Sequence, residues 1–243
     1  MDVLLLRLDA PLKSFGAVVV DQNNPTWRFP GAALLTGLLG NALGWDHRDT
    51  DLLQALQDRL RFAARWDAEP KLLTDYQTVE LAHSFMRDTG WTTRGHVENR
   101  EGDIERQIRA KNTYVNPRKR DHWANGVATV AVALDGEGTP TLDDLERALR
   151  FPARPLFLGR KPCLPAGPLL LGRREAAGVR AALAAEPLAD IGPRHRPARI
   201  EALWPFDEGE GTATEERYDL RDWPNNIHRG ARRYAVGLLE VAG

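Results

Sequence analysis

Apolar positions fall along the chain in short blocks whose period changes from one block to the next. Val3 to Leu8 is an apolar run of strand length closed by Asp9, Ala10 and Pro11, which predicts a buried β-strand. Leu12 to Pro30 shows little regular period and is broken by Gly16, Pro25 and Pro30, so it reads as a long loop with an extended piece at Ala17 to Val20. Ala32 to Leu43 is apolar at helical spacing. A second helical block covers Asp51 to about Leu60, with Thr50 or Asp51 as N-cap and Leu52, Leu53, Leu56 and Leu60 on one face. Phe62 to Trp66 either continues that helix or begins a strand.

Leu72 to Leu81 has extended character through Tyr76, Thr78 and Val79, and Gly126 to Leu134 alternates small and branched apolar residues as a strand does. Between them lie more than forty residues without a strong apolar period, of the kind that is functional or disordered in a compact domain. The tract from Trp91 to Trp123, with Gly90, Gly95 and Gly102 in or beside it, suits an arm projecting from a sheet. Thr141 to Arg150 carries a helix signature with Thr141 as cap and Asp143 and Asp144 in the first turn. A proline- and glycine-rich loop, Pro152 to Gly172, leads into the strand candidate Leu169 to Leu171. Arg173 to Arg199 is helical at first, then rich in Arg and Pro. Ile200 to Phe206 and Arg233 to Val241 read as strands on either side of an acidic loop, the pattern of a small C-terminal β subdomain. There is no internal repeat of fixed period. The order strand, helix, strand, strand, helix, strand is the ferredoxin-like split βαβ arrangement, with the arm inserted between two central strands.

Two glycines change the meaning of the first helix. Gly37 and Gly40 lie inside its apolar run, and each costs roughly 1 kcal/mol relative to alanine. Two compensations are open: close packing of the helix against a sheet, or close approach of a ligand backbone to a surface without side chains. Pro30 and Gly31 lead into a helix start whose free N–H groups favour an anion such as phosphate.

Composition is that of a globular protein, and the net charge of −1 hides an uneven distribution. Arg106 to Arg120 holds six basic residues (Arg106, Arg109, Lys111, Arg118, Lys119, Arg120) and no acid, whereas Asp207 to Glu216 holds five acids and no base. Arg154 to Arg174, which includes Arg160 and Lys161, is also free of acids, and Arg28 stands just before the glycine helix. Cations interleaved with Trp27, Tyr114, His122 and Trp123 are the chemistry of single-stranded nucleic-acid binding, in which phosphates pair with Lys and Arg and bases stack on rings. Six such cations on single-stranded RNA give a slope of log K on log salt of about −4. Trp27 is equally readable as a core anchor; for Phe29 the core is the better reading.

Catalysis has thinner support. The six histidines form no metal-ligand spacing, and the single cysteine, Cys163, reads as a small buried hydrophobe and fits a reducing cytoplasm. Tyr76, His83, Lys111 and His122 can be assembled on paper into a metal-free RNA-cleaving set. No apolar run reaches the ~20 residues of a membrane span, and the first residues lack a signal-peptide pattern. A soluble, cytoplasmic protein with no cofactor and no metal is the expectation.

Four stretches, LLLRLDAPLKSFG (Leu4 to Gly16), PTWRFPGAALLTGLLGNALGW (Pro25 to Trp45), LTDYQTV (Leu73 to Val79) and PLFLGRKPCLPAGPLLLG (Pro155 to Gly172), resemble the Cas-five family of the RAMP superfamily in its type I-E form. The resemblance implies an α+β, RRM-like ferredoxin fold, with residues 1–172 as the RAMP domain, a thumb at about 82–125, and residues 173–243 as the small β subdomain. It implies a subunit of the CRISPR Cascade complex, an antiviral defence assembly, that caps the 5′ handle of crRNA, touches the backbone subunit and the large subunit, and meets target DNA indirectly. By position it puts Arg28 and the helix from Gly37 to Gly40 in the handle-facing region and Lys111 to Arg120 in the thumb and its base; with Trp27, Arg106, Arg109, Tyr114, Arg118 and Lys119 these make the candidate RNA-binding set. Gly159, Arg160 and Lys161 fall in the glycine-rich loop. A related branch cleaves precursor crRNA with a tyrosine and an adjacent Lys-His pair; here Lys111 precedes Asn112, so a non-catalytic subunit is implied, with a metal-independent, repeat-specific endoribonuclease as the alternative.

Overall fold

The structure is a computed structural model, and it describes residues 1–80, 90–91, 97–98, 115–192 and 198–241. It divides into two compact units. Met1–Ala17, Thr26–Leu73 and His122–Gly243 make the first, and Val18–Pro25 with Thr74–Asp121 make the second.

The first unit is built on a seven-stranded sheet. In chain order its strands are β1 (Asp2–Asp9), β2 (Leu60–Ala68), β3 (Val127–Leu134), β4 (Leu170–Glu175), β5 (Arg199–Pro205), β6 (Ala213–Arg217) and β7 (Arg232–Glu240). They lie side by side in the order β4-β1-β3-β2-β5-β7-β6, and every neighbouring pair is antiparallel. Helices α1 (Ala32–Leu43) and α2 (Thr50–Arg59) follow β1, α3 (Leu142–Arg150) follows β3, and α4 (Val179–Ala185) follows β4.

The apolar run of β1, interrupted only by Arg7, is explained by burial on both faces of the sheet. Leu4, Leu6 and Leu8 join Phe62, Trp66, Val130 and Val132 in a core with Leu35 and Leu39 of α1, Leu56 of α2 and Leu145 of α3. Val3 and Leu5 point the other way, to Val179, Ala182 and Leu183 of α4 and to Trp204 of β5. Successive strand residues project to opposite faces, so one apolar block supplies two cores. The α3 start forms as its sequence predicts: Thr141 Oγ1 accepts from the Asp144 N–H at 3.2 Å, and the Asp144 carboxylate accepts from the Thr141 N–H at 3.0 Å.

Of the two readings open for Phe62 to Trp66, strand is the one found, central in β2. Several other expectations change. On α2, Leu53 and Leu56 are buried but Leu52 is 42% exposed. The segment after Gly172 continues as strand to Glu175, and its helix is confined to Val179–Ala185. The C-terminal strands form no separate sheet: β5 pairs with β2 at Ala202↔Arg65 and Leu203↔Ala64, and β7 and β6 add beyond it. Pairing with β2 buries the Ala202 and Trp204 side chains under α4, which a detached hairpin would leave wet.

In the second unit Asn23 and Asn24 run parallel to Lys119 and Arg120, and the Lys119 N–H donates to the Gln22 carbonyl at 2.9 Å. Thr74 Oγ1 donates to Asp121 at 2.6 Å, tying the strand Lys71–Glu80 to the strand Val115–Ala124. Most of the expected arm lies outside the described residues. Among the described residues no helix is long and apolar enough to cross a membrane.

Candidate nucleic-acid interface

The lead-in to α1 is locked by residues far away in sequence. Arg28 Nη2 lies 2.6 Å from Glu69, its Nε donates to Glu201 at 2.9 Å, and its guanidinium stacks 5.5 Å from the Trp66 ring and 5.2 Å from the Trp123 ring. Two carboxylates thus compensate the Arg28 charge. Trp27 is held by its backbone, its N–H donating to the Gly16 carbonyl at 2.8 Å and its carbonyl accepting from Trp123 Nε1 at 2.7 Å. Its ring faces the buried Arg217 guanidinium at 5.0 Å and packs against the core, so the anchor reading of Trp27 describes its contacts.

An anion does sit at the α1 N-terminus, but it belongs to the chain itself. Asp219 Oδ2 accepts from the Ala32 N–H at 2.7 Å, and the side chain is 5% exposed. A Cβ on Gly31 would lie 2.6 Å from that oxygen, which accounts for the glycine. Burial pushes the Asp219 carboxyl up from its usual range, with the Ala32 hydrogen bond and the Arg217 charge opposing that shift. The phosphate expected at this helix start is therefore replaced by a side chain 187 residues downstream.

Of the two helix glycines, only Gly40 is required by protein packing. A Cβ at Gly40 would meet Leu53 Cδ2 of α2 at 2.6 Å, and the partner is a helix where the sequence suggested a sheet. At Gly37 the nearest atom would be Trp223 Cη2 at 3.9 Å, an ordinary contact. Neither glycine is an exposed surface residue.

A second construction presents cations outward. Leu12 and Lys13 pair with Ala124 and Trp123, and the fully buried Lys13 ammonium donates to the carbonyls of Ala10, at 2.7 Å, and Gly126. Burial pulls the Lys13 pKa down to about 8. On this platform the Ser14 N–H donates to the Leu158 carbonyl at 3.1 Å, and the loop closes through Leu158 N–H to Cys163 O and Cys163 N–H to Arg160 O, both 2.8 Å. Gly159 has φ +92°, and a Cβ there would lie 1.6 Å from the Ser14 carbonyl oxygen, so no other residue fits. Arg160 is half-buried with Nη1 3.2 Å from His122 Nε2, whereas Lys161 is exposed and makes no ion pair among the described residues. Cys163 is fully buried, and burial pushes its thiol up, away from nucleophilic character at neutral pH.

Strand alternation sends His122 and Trp123 to opposite faces. Arg28 is stacked on Trp123, and Arg160 lies beside His122, the preceding residue of the same strand. In the second unit Arg118 donates to the Asp21 carbonyl at 3.2 Å, Arg120 to Gln77 at 2.8 Å, and Lys119 is exposed. Arg106, Arg109, Lys111, Tyr114 and His83 lie outside the described residues. Sequence reasoning missed Glu69, Glu201, Arg217, Asp219 and Lys13. The first four act from distant positions and left no local signal; Lys13, the polar residue beside Leu12 in a strand-bounded loop, offered only a faint one.

The family profile described as CRISPR-associated protein (Cas_Cas5) matches residues 3–235, nearly the whole chain. The chain belongs to this Cas-five family. The Cas-five chain is 33% identical over 160 residues to the CRISPR system Cascade subunit CasD of Escherichia coli (strain K12), a match spanning 66% of each protein and so just under two thirds of that relative. It also shares its fold with a chain of a CRISPR RNA-guided surveillance complex, at TM-score 0.71 and 24% identity over 98% of this chain and 90% of that one. A second solved Cas protein superposes at TM-score 0.64 and 25% identity, covering 98% and 95%. Among its described residues this Cas-five protein has no group of three or more His, Cys, Asp or Glu side chains able to hold a metal ion.

Proposed function

We propose that this Cas-five chain is a non-catalytic, cytoplasmic Cascade subunit that caps the 5′ handle of crRNA and contacts the backbone and large subunits of the complex. The observation that carries the RNA reading is the loop Gly159–Lys161, a cationic turn fixed on Ser14 by a glycine that no other residue can replace. A phosphate-binding loop needs that combination of fixed backbone and outward cation. Arg160 and Lys161 are the first residues assigned to the handle. Arg118, Lys119 and Arg120, at the base of the proposed thumb at about 82–125, add cations in the second unit. The β-α-β-β-α-β order of β1, α1, β2, β3, α3 and β4, with spatial order β4-β1-β3-β2, supports a ferredoxin-like RAMP domain.

The test is handle-RNA binding by Arg160→Ala/Lys161→Ala across a salt series. Each lost phosphate contact lowers the magnitude of the log K against log salt slope by about 0.7 on single strands, so the double variant should bind more weakly with a slope shallower by about 1.4. Affinity and slope equal to those of the parent protein would refute the loop assignment.

A further inference from the structure

The outer edge of the large sheet is formed by β6. Strand β6 is terminal, paired on one side with β7 from Ala213↔Val236 to Arg217↔Arg232 and, among the described residues, with nothing on the other. Ala213, Thr214 and Glu216 are exposed, and half of the backbone N–H and C=O groups of such a strand point away from the sheet. Proteins protect open edges with charge, so acidic residues here have a plain protective reading. The opposite edge shows how this chain does that. On β4, Arg173 is paired with Asp2 and Asp143, and Arg174 with Glu186, so both arginines are compensated internally, while Glu175 at the strand end makes no ion pair among the described residues.

At β6 the charges are left unbalanced. Asp207 to Glu216 holds five acids and no base. Asp207 and Glu208 pair with Arg61, but Glu210 and Glu216 make no ion pair among the described residues. Arg233 stands directly opposite Glu216 in register, yet its guanidinium lies over the Phe206 ring at 4.3 Å. The only ion pair within the strand is Glu215 with Arg217, at 3.6 Å, and Arg217 is buried beneath the sheet edge. Such an edge repels RNA and attracts cationic polypeptide.

We propose that β6 is a docking edge for an extended, lysine- or arginine-bearing segment of a partner protein, which adds to the sheet as an eighth, outermost strand. Backbone hydrogen bonds to the free side of Ala213–Arg217 supply affinity, and Glu210 and Glu216 select basic residues. This goes beyond crRNA capping: it concerns a protein partner on a different surface, and the peptide experiment needs neither RNA nor other subunits, so its outcome is independent of the handle-binding test.

The experiment uses the full chain and three peptides of ten residues: one alternating lysine and valine, the same peptide with every second backbone nitrogen methylated along one edge (prepared in both registers), and one alternating glutamate and valine. Binding is read by fluorescence anisotropy, and its location by hydrogen exchange. The lysine peptide should bind and protect amides in Ala213–Arg217. In at least one register methylation should weaken binding by about tenfold or more, since it removes the strand hydrogen bonds but keeps the charge. The glutamate peptide should not bind, and Glu210→Gln/Glu216→Gln should weaken the lysine peptide several-fold. The proposal is overturned if the lysine peptide fails to bind at millimolar concentration, if both methylated registers bind as well as the parent, or if protection appears elsewhere.

Discussion

Lys13 offers a direct measurement of what it costs this fold to bury a cation. Its ammonium is fully buried, hydrogen-bonded to two carbonyls, and titrates at about 8 against 10.5 for an ordinary lysine. Between those two values the unfolded chain holds the proton and the folded chain has released it, so stability rises with pH across that window. At about 1.36 kcal/mol per unit, the protein should gain about 3 kcal/mol on going from below pH 8 to above pH 10.5. Lys13→Met has no such proton. It also leaves the Ala10 and Gly126 carbonyls without their donor, a loss of about 1–3 kcal/mol each that does not vary with pH. Urea unfolding of both proteins at pH about 7, 9 and 11 separates the two effects. The stability of the parent relative to Lys13→Met should climb at about 1.4 kcal/mol per pH unit inside the window and be flat below it. Other titrations, including that of Tyr234, whose phenol burial pushes up, are common to both chains and cancel in the difference. A difference that stays constant within about 0.5 kcal/mol across the series would show that Lys13 does not carry a buried charge.

The two helix glycines should respond differently to the same change. Gly37→Ala meets nothing closer than 3.9 Å and should stabilise α1 by about 1 kcal/mol, whereas Gly40→Ala drives into Leu53 Cδ2 and should lose that gain to an overpacking cost of about 1–3 kcal/mol. Equal shifts in thermal unfolding would refute the packing account of Gly40. In the cationic loop, Gly159→Ala cannot keep its backbone against the Ser14 carbonyl and should weaken handle-RNA binding with Arg160 and Lys161 intact, while Gly167→Ala, with open space around it, should not. Parent-like RNA binding by Gly159→Ala would remove the reason for assigning the loop.

The sequence alone determined the local elements whose signals lie within a few residues of one another. The apolar run of β1, the Thr141–Asp144 box that starts α3, and the helical spacing of α1 and α2 are all legible because hydrogen bonding and side-chain period are local. It also marked the acid-free stretches and the glycine turn at Gly159–Lys161, since charge and glycine need no partner to be seen. Pairing is what the tertiary structure decided. Arg28 reads as a free cation until Glu69 and Glu201 arrive beside it, the start of α1 reads as an open anion site until Asp219 fills it, and Gly40 is ambiguous until Leu53 packs over it. The C-terminal strands looked detached because nothing near them in sequence shows that β2 has an edge to share. Each of those outcomes rests on a contact between residues brought together only by chain reversal, and a linear pattern carries no record of which distant charge or methyl group will close the distance.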